Sequence, residues 1–370
     1  MFVKIKKLNE FGEGIGYSSN GKFKLKHVLP GEIVNLENLT VKKPSRYRIL
    51  PTCKFYYHCN GCSLQIANYE YQIQLKTKFL KSVLNKLNLN PIFETFEKSK
   101  PFNYLNTYDK NYYNLKVDSC PLVYEEINEI LSILPNSLII KGSQRLKSFL
   151  VYIEHYKGLS TSFLRDVFNL NENLAGIILK EERNDRVLYG NNYYKEKILS
   201  KTIKINLFSD FENNVEIFEK KVSFLRNLII SNGFKKIIIY KAEFYPLFLF
   251  DILSYCLCSE RNGYNRSDLE ELFKIYDVFN CDILSVKLKS IIETKEKFDL
   301  LILNKPFIKN IKLLKLNEIK NVVIILENIR KLKSILKIMK NFNYELVLLK
   351  PFDSYPQIFN FDLILFFTRE

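Results

Sequence analysis

The stretch PTCKFYYHCNGCSLQIANYEYQIQLKTKFL, residues 51–80, places three of the chain's seven cysteines directly before a segment of helical periodicity. Cys53, Cys59 and Cys62 follow a C-x5-C-x2-C spacing with His58 beside them. Three close cysteines need a fourth soft ligand to close a tetrahedral or cluster site. Cys120 is the best candidate, because it precedes Pro121 and because Cys256, Cys258 and Cys281 fall in a region of different pattern. Spacing alone leaves an iron–sulfur cluster, zinc and unliganded thiols all open. His58 could compete as a ligand, but its neighbours supply enough sulfur and it reads as a bystander. Downstream, Tyr69, Ile73, Lys76, Phe79, Leu80, Val83 and Leu87 recur at helical spacing, with lysines on the other face. That spacing predicts a helix over 68–89 packed on a core.

Toward the N-terminus, residues 1–47 read as short strands. FVKIKKLN is followed by glycine punctuation at Gly12, Gly14 and Gly16, then by KFKLKHVLPGEIVNLENLTVKK. Apolar and basic residues alternate in KFKLK, giving one buried and one cationic face at period two. A small basic β-barrel is expected, of a kind that binds RNA, with Lys22, Lys24 and Lys26 as candidate RNA contacts. Residues 90–210 mix strand-like and helical pieces, including a helix opened by CPLVYEEINEILSIL from Cys120. From about residue 220 the apolar runs GFKKIIIYKA, FDLLILNKP, NVVIILEN, YELVLLKPF and FDLILFFTR alternate with helical stretches such as RKLKSILKIMKNF. Continuous apolar strands between helices imply a mostly parallel sheet covered on both faces. The expected class is α/β in three parts: a barrel over 1–47, a central α+β domain over 48–205 and a Rossmann-like domain over 206–370.

A chain of 370 residues with 47% apolar content can bury a sizeable core. The N-terminal segment MFVKIKKLNEFGEG carries no apolar stretch of signal-peptide length. The greasiest run, FYPLFLFDILSYCLC, is interrupted by Asp251 and too short to span a bilayer. A cytoplasmic, reducing setting is expected, where clustered cysteines serve metal or redox chemistry rather than disulfides. The net charge of +16 accompanies abundant Lys, Asn, Ile, Phe and Tyr and no Trp, the usage of an A/T-rich genome. A surplus of that size still concentrates polyanions around the protein.

The stretch at 51–80 resembles the cluster segment of the RNA (uracil-5-)-methyltransferases, which make 5-methyluridine in tRNA and 23S rRNA. Cys53, Cys59, Cys62, Leu64, Gln65, Tyr69, Gln72 and Lys76 match that family's pattern. Cys120–Pro121–Leu122 matches its fourth cysteine, GEGIGY and VLPGEIV are similar to its TRAM barrel, and RVLYG and the last fifty or so residues follow its outline. The resemblance implies a 4Fe–4S cluster on Cys53, Cys59, Cys62 and Cys120, S-adenosylmethionine as methyl donor, and tRNA or rRNA as partner of a monomer, with neither membrane nor DNA involved. It implies a cysteine thiolate that adds to C6 of uracil, so that C5 can accept the methyl group, and a carboxylate that then removes the C5 proton.

At the positions that match those motifs, this chain differs. VIILENIRKLKSI keeps Asn328 and Leu332 in register and puts Glu327 where the nucleophilic cysteine belongs. DSYPQIFNFD keeps Asp353 and Pro356 and has Asp362 at the base position, one methylene short of glutamate. IIIYKAEFYPLFLF lacks the glycines of the cofactor turn, with Phe244 and Pro246 in their place. Asn265 is the nearest residue to the expected ribose-binding acid, Asn304 replaces aspartate before Pro306, and Glu212 replaces glutamine between Phe211 and Asn214. Tyr104–Thr107 reads YLNT where the family has a basic motif, and the segment from there to Cys120 is shorter than usual. These departures lead to the expectation of an RNA-binding member whose methyl transfer is lost. The alternative is an active uracil-5 methyltransferase with a rewired site.

Overall fold

In the computed structural model, all residues are described except 20, 113–116, 155–159, 183–184, 293–295, 317–318 and 370, together with the side chains of 292, 315 and 316. Part of the short segment before Cys120 therefore lies outside the described residues. The described chain divides into two units, one made of 1–101 and 325–368, the other of 102–112, 117–324 and 369. No helix among the described residues is long and apolar enough to cross a membrane.

The first unit opens with strands β1 (Phe2–Leu8), β2 (Gly14–Ser18), β3 (Gly21–Leu25), β4 (Ile33–Asn35) and β5 (Thr40–Lys43). They form an antiparallel sheet in the order β3-β2-β1-β4-β5. Alternation sends Val3 and Ile5 inward, where they meet Val28 and Val34, and leaves Lys4 and Lys6 in solvent. The punctuating glycines have a packing reason. A Cβ on Gly14 would stand 2.4 Å from Val28 Cγ2 and one on Gly16 2.6 Å from Val3 Cγ2. Just before β4, Glu32 is fully buried and pairs with Arg48 at 2.6 Å while accepting from the Leu29 and Ser45 N–H groups. Helix α1 (Tyr69–Lys86) starts where Asn68 caps it by accepting from Tyr71 N. Strand β6 (Ile92–Phe93) closes this part of the unit.

The second unit begins with β7 (Thr107–Asp109), α2 (Glu125–Ile133), β8 (Ser137–Ser143), β9 (Ser148–Glu154), α3 (Thr161–Leu170), β10 (Leu174–Lys180) and β11 (Arg186–Gly190). These strands form one sheet, antiparallel except for β9–β10, which the α3 crossover joins in parallel. A hairpin of β12 (Tyr193–Ile198) and β13 (Lys201–Asn206) leads into α4 (Val215–Ser231), whose N-cap is Asn214. Then come β14 (Lys236–Tyr240), β15 (Tyr255–Ser259), α5 (Gly263–Ile275), β16 (Cys281–Leu284), α6 (Leu288–Ile292), β17 (Leu300–Asn304) and α7 (Ile308–Lys312). Strands β16-β15-β14-β17 run parallel, and their buried runs account for the unbroken apolar stretches in the sequence. This is the expected Rossmann-like order. The chain leaves β14 toward β15 on one side and returns as β17 on the other, which opens a crevice at their carboxyl ends.

Strand β18 (Asn321–Leu326) carries the chain back to the first unit, which ends with α8 (Leu332–Asn341), β19 (Glu345–Phe352) and β20 (Asp362–Thr368). There β19 pairs antiparallel with β20 and parallel with β6.

Candidate functional site

The crevice of the second unit is built by the residues that follow β14, β15 and β17. Lys241 (φ 55°), Glu243 (φ 44°) and Lys305 (φ 46°) all adopt the left-handed conformation that glycine takes at no steric cost. Lys305 Nζ pairs with Glu243 Oε1 at 2.8 Å, and Asn304 Nδ2 donates to Lys241 O at 3.0 Å. The turn after β14 is thereby tied to the loop after β17. Beneath that turn Phe244 and Tyr245 are fully buried; Phe244 packs edge-on against Phe211, and Tyr245 packs against Phe218. Burial pushes the Tyr245 phenol well above its ordinary value. Asn304 Oδ1 is buried and accepts no hydrogen bond among the described residues.

Directly after β15 stands Glu260, twenty residues beyond the end of β14, where nucleotide-binding sheets carry an acid for ribose hydroxyls. Its Oε2 accepts from Glu243 N at 2.9 Å and its Oε1 from Asn262 N at 2.8 Å. Asn265, the residue nearest to that acid in the sequence reading, stands in a different setting. That asparagine lies in α5, where Oδ1 accepts from Asp210 N and Nδ2 donates to Asp210 O, so its amide serves to hold a loop. Sequence reading missed Glu260 because β15 lies inside the 244–258 apolar run. A carboxylate at the end of an apolar Tyr-Cys-Leu-Cys alternation was the available signal. Glu212 is buried and pairs with Lys221 at 2.9 Å, while its carbonyl accepts from Asn106 Nδ2. Nearby, Lys141 donates to Ser209 O, and burial pushes its ammonium down to about 8. Cys120, also in this unit, is buried. Its N–H donates to Asn128 Oδ1 and its carbonyl accepts from Asn128 Nδ2.

The first unit holds the other three cysteines in a loop ahead of α1. Cys53, Cys59 and Cys62 are each half-buried. Gly61 N donates to Cys59 Sγ at 3.3 Å and Gln65 Nε2 to Cys62 Sγ at 3.2 Å, while Gln65 Oε1 accepts from Cys53 N. N–H donors aimed at sulfur suit thiolates that ligate a metal cluster. His58 is exposed. On α1, Gln72 and Lys76 are fully buried. Gln72 Nε2 donates to Leu64 O, Ala67 O and Gln357 Oε1, and Lys76 Nζ pairs with Asp353 at 2.5 Å and donates to Tyr355 O. These contacts fasten the loop before β20. Asp362, at the start of β20, is fully buried and accepts from Ser354 Oγ at 2.5 Å. Glu327 follows β18, half-buried, with its carbonyl accepting from Asn360 Nδ2. Lys22, Lys24 and Lys26 are exposed, the first two on β3 and Lys26 just beyond it.

No family model matches the chain. A protein of Prochlorococcus marinus named an uncharacterized RNA methyltransferase is 26% identical over 246 residues, covering 52% of this chain and 58% of that protein. A tRNA/tmRNA (uracil-C(5))-methyltransferase of Campylobacter hominis is 25% identical over 213 residues, covering 49% of this chain and 57% of its own length. The chain is thus similar to RNA methyltransferases, a tRNA/tmRNA uracil-C5 enzyme among them. It spans less than two thirds of the length of these two relatives. The solved Pyrococcus abyssi tRNA (uracil-54, C5)-methyltransferase, in complex with S-adenosyl-L-homocysteine, shares its fold, with a TM-score of 0.75 at 15% identity over the whole of both chains.

Glu243 and Lys305 pair between the turn after β14 and the loop after β17, and Phe244, Tyr245 and Pro246 of that turn are buried. The cysteine loop suits a metal cluster, since two of its three thiols, Cys59 and Cys62, already accept from N–H donors.

Proposed function

We propose that this chain is an RNA-binding member of the family in which methyl transfer to uracil C5 is lost. The observation that carries the reading is the crevice bridged by its own Glu243–Lys305 pair above buried Phe244 and Tyr245. Glu327 at the nucleophile position adds to it, because a carboxylate is a poor substitute for a thiolate in conjugate addition. The five-stranded sheet corresponds to the TRAM-like barrel, and the segments 1–47, 48–205 and 206–370 to the family's three parts. A 4Fe–4S cluster would be held by Cys53, Cys59, Cys62 and, by the family's pattern, Cys120. When bound it supplies cross-linking of the chain. The partner is RNA, either tRNA or rRNA.

Calorimetric titration of cluster-loaded protein with S-adenosylhomocysteine tests the reading. No heat at micromolar concentration is expected, corresponding to a loss of about 4 kcal/mol between micromolar and millimolar affinity. Glu260 and the unpartnered Asn304 Oδ1 favour the competing reading, an active enzyme with a divergent site. A micromolar isotherm, with 5-methyluridine missing from RNA of a deletion strain, would establish that reading instead. Anaerobically purified protein should carry about four irons per chain, most of them lost in Cys59→Ser. Stoichiometric zinc without iron would overturn the cluster assignment.

A further inference from the structure

A groove of about 550 Å³ lies in the second unit between the carboxyl-terminal half of α2, helix α3 and the loop that leads into β10. The sequence of α3 accounts for it. At 3.6 residues per turn, Leu164 and Phe168 fall on one side of Val167, and Phe163, Asp166 and Leu170 fall on the other. Leu164 and Val167 are buried, whereas Phe163 is 42% and Leu170 85% exposed, so the apolar stripe is wider than its own unit covers. Across the groove, Ile133 of α2 is 43% exposed. Glu129, Asp166 and Glu172 supply the charge of the lining, all three exposed and none in an ion pair among the described residues. No lysine or arginine lines the groove, in a chain whose net charge is +16. Arg165, the one cation of α3, falls on the far side by the same spacing.

Single apolar residues on a surface are ordinary, but three that converge on one concavity between two helices form a seat for the apolar face of a third. The carboxylates around them set the sign of the partner, which must bring cations to the edge of that face. A polyanion is repelled there, so this face is distinct from any that binds RNA. A basic partner is repelled by the net charge of the rest of the molecule, which confines its attraction to this groove. We infer that the groove between α2 and α3 docks a basic amphipathic helix of a partner protein. Its apolar residues pack on Ile133, Phe163 and Leu170, and its lysines or arginines meet Glu129, Asp166 and Glu172. The inference stands whether or not methyl transfer persists.

The probe is a labelled Leu/Lys peptide of about 18 residues with its leucines at helical spacing, titrated into the nuclease-treated full chain and read by fluorescence anisotropy. The unaltered chain should bind one peptide with micromolar affinity. A charge variant carries Asp166→Lys and Glu172→Lys, and its control carries Glu296→Lys and Glu345→Lys, both exposed and outside the groove. The charge variant should bind at least about tenfold more weakly than the control. Leu170→Ser trims a side chain that is 85% exposed and should weaken binding with little change in melting temperature. Thermal melting checks that every variant folds. A peptide with glutamate in place of lysine should not bind. Equal binding by charge variant and control would overturn the groove as the site, and equal binding of the acidic peptide would overturn the choice of a basic partner. Self-association that Leu170→Ser abolishes, without peptide binding, would make the occupant a second copy of this chain instead. No binding of either peptide and no self-association would overturn docking at this groove altogether.

Discussion

At the scale of single residues, Lys76 is the most consequential side chain of the first unit. It falls on the apolar register of α1 and is wholly buried, so its charge requires the Asp353 carboxylate opposite. Burial draws its ammonium below the ordinary lysine value, against the pull of Asp353. Lys76→Met should shift the urea midpoint by an amount equivalent to about 3–5 kcal/mol, because the buried Asp353 carboxylate would lose its cation. The double change with Asp353→Leu should recover part of that loss, and a single-variant shift too small to measure would refute it. A second buried charge sets a pH dependence. Glu196 is pushed up to about 7 by burial, although Ser143 Oγ and Lys197 N donate to it. Its folded-state value lies above the ordinary one, so the folded chain holds the proton more tightly than the unfolded chain does. Stability from this group is complete below about pH 4.5 and lost as pH rises through about 7. Glu196→Gln should therefore flatten the fall in urea midpoint between pH 5 and pH 8.

At the scale of elements, the glycines of β2 give the clearest test. Gly14→Ala would place a methyl 2.4 Å from Val28 Cγ2 and 2.9 Å from Ile5 Cγ2, inside the small core of the sheet. A cost of about 1–3 kcal/mol is expected from overpacking, read as a lower melting temperature. The strands that could be read from sequence were those with long apolar runs set off by polar loops, such as Lys236–Tyr240 and Asn321–Leu326. Helix α1 was legible to within a few residues, since an 18-residue amphipathic pattern follows a capping Asn68. Strand β15 was not. The buried turns at Tyr245–Ile252 are as apolar as the strand after them, so composition draws no border between the two. Missing that strand hid Glu260. Periodicity also carries no strand direction, so the antiparallel β19–β20 pair had no signature. Substituted positions such as Glu327 and Asp362 were found only by comparison with a motif, because neither stands out by pattern.

At the scale of the whole molecule, the first unit draws on both ends of the chain while the second occupies the middle. Along the linear sequence nothing signals this interleaving, because Gln72 meets Gln357 and Lys76 meets Asp353 across nearly the full length. On a ribosome, residues 1–101 emerge first and cannot complete their unit until 325–368 follow. At ordinary elongation rates that interval is roughly 10–50 s. During it the apolar face of α1, with Leu80, Val83 and Leu84, has no partner from the final strands, and a holding chaperone has a substrate. A chain ended at residue 324 should show protease cuts concentrated in its first hundred or so residues, and uniform resistance there would refute the dependence. A frameshift within the codons for residues 325–368 would then do its damage far upstream in the polypeptide, in the sheet and helix made earlier.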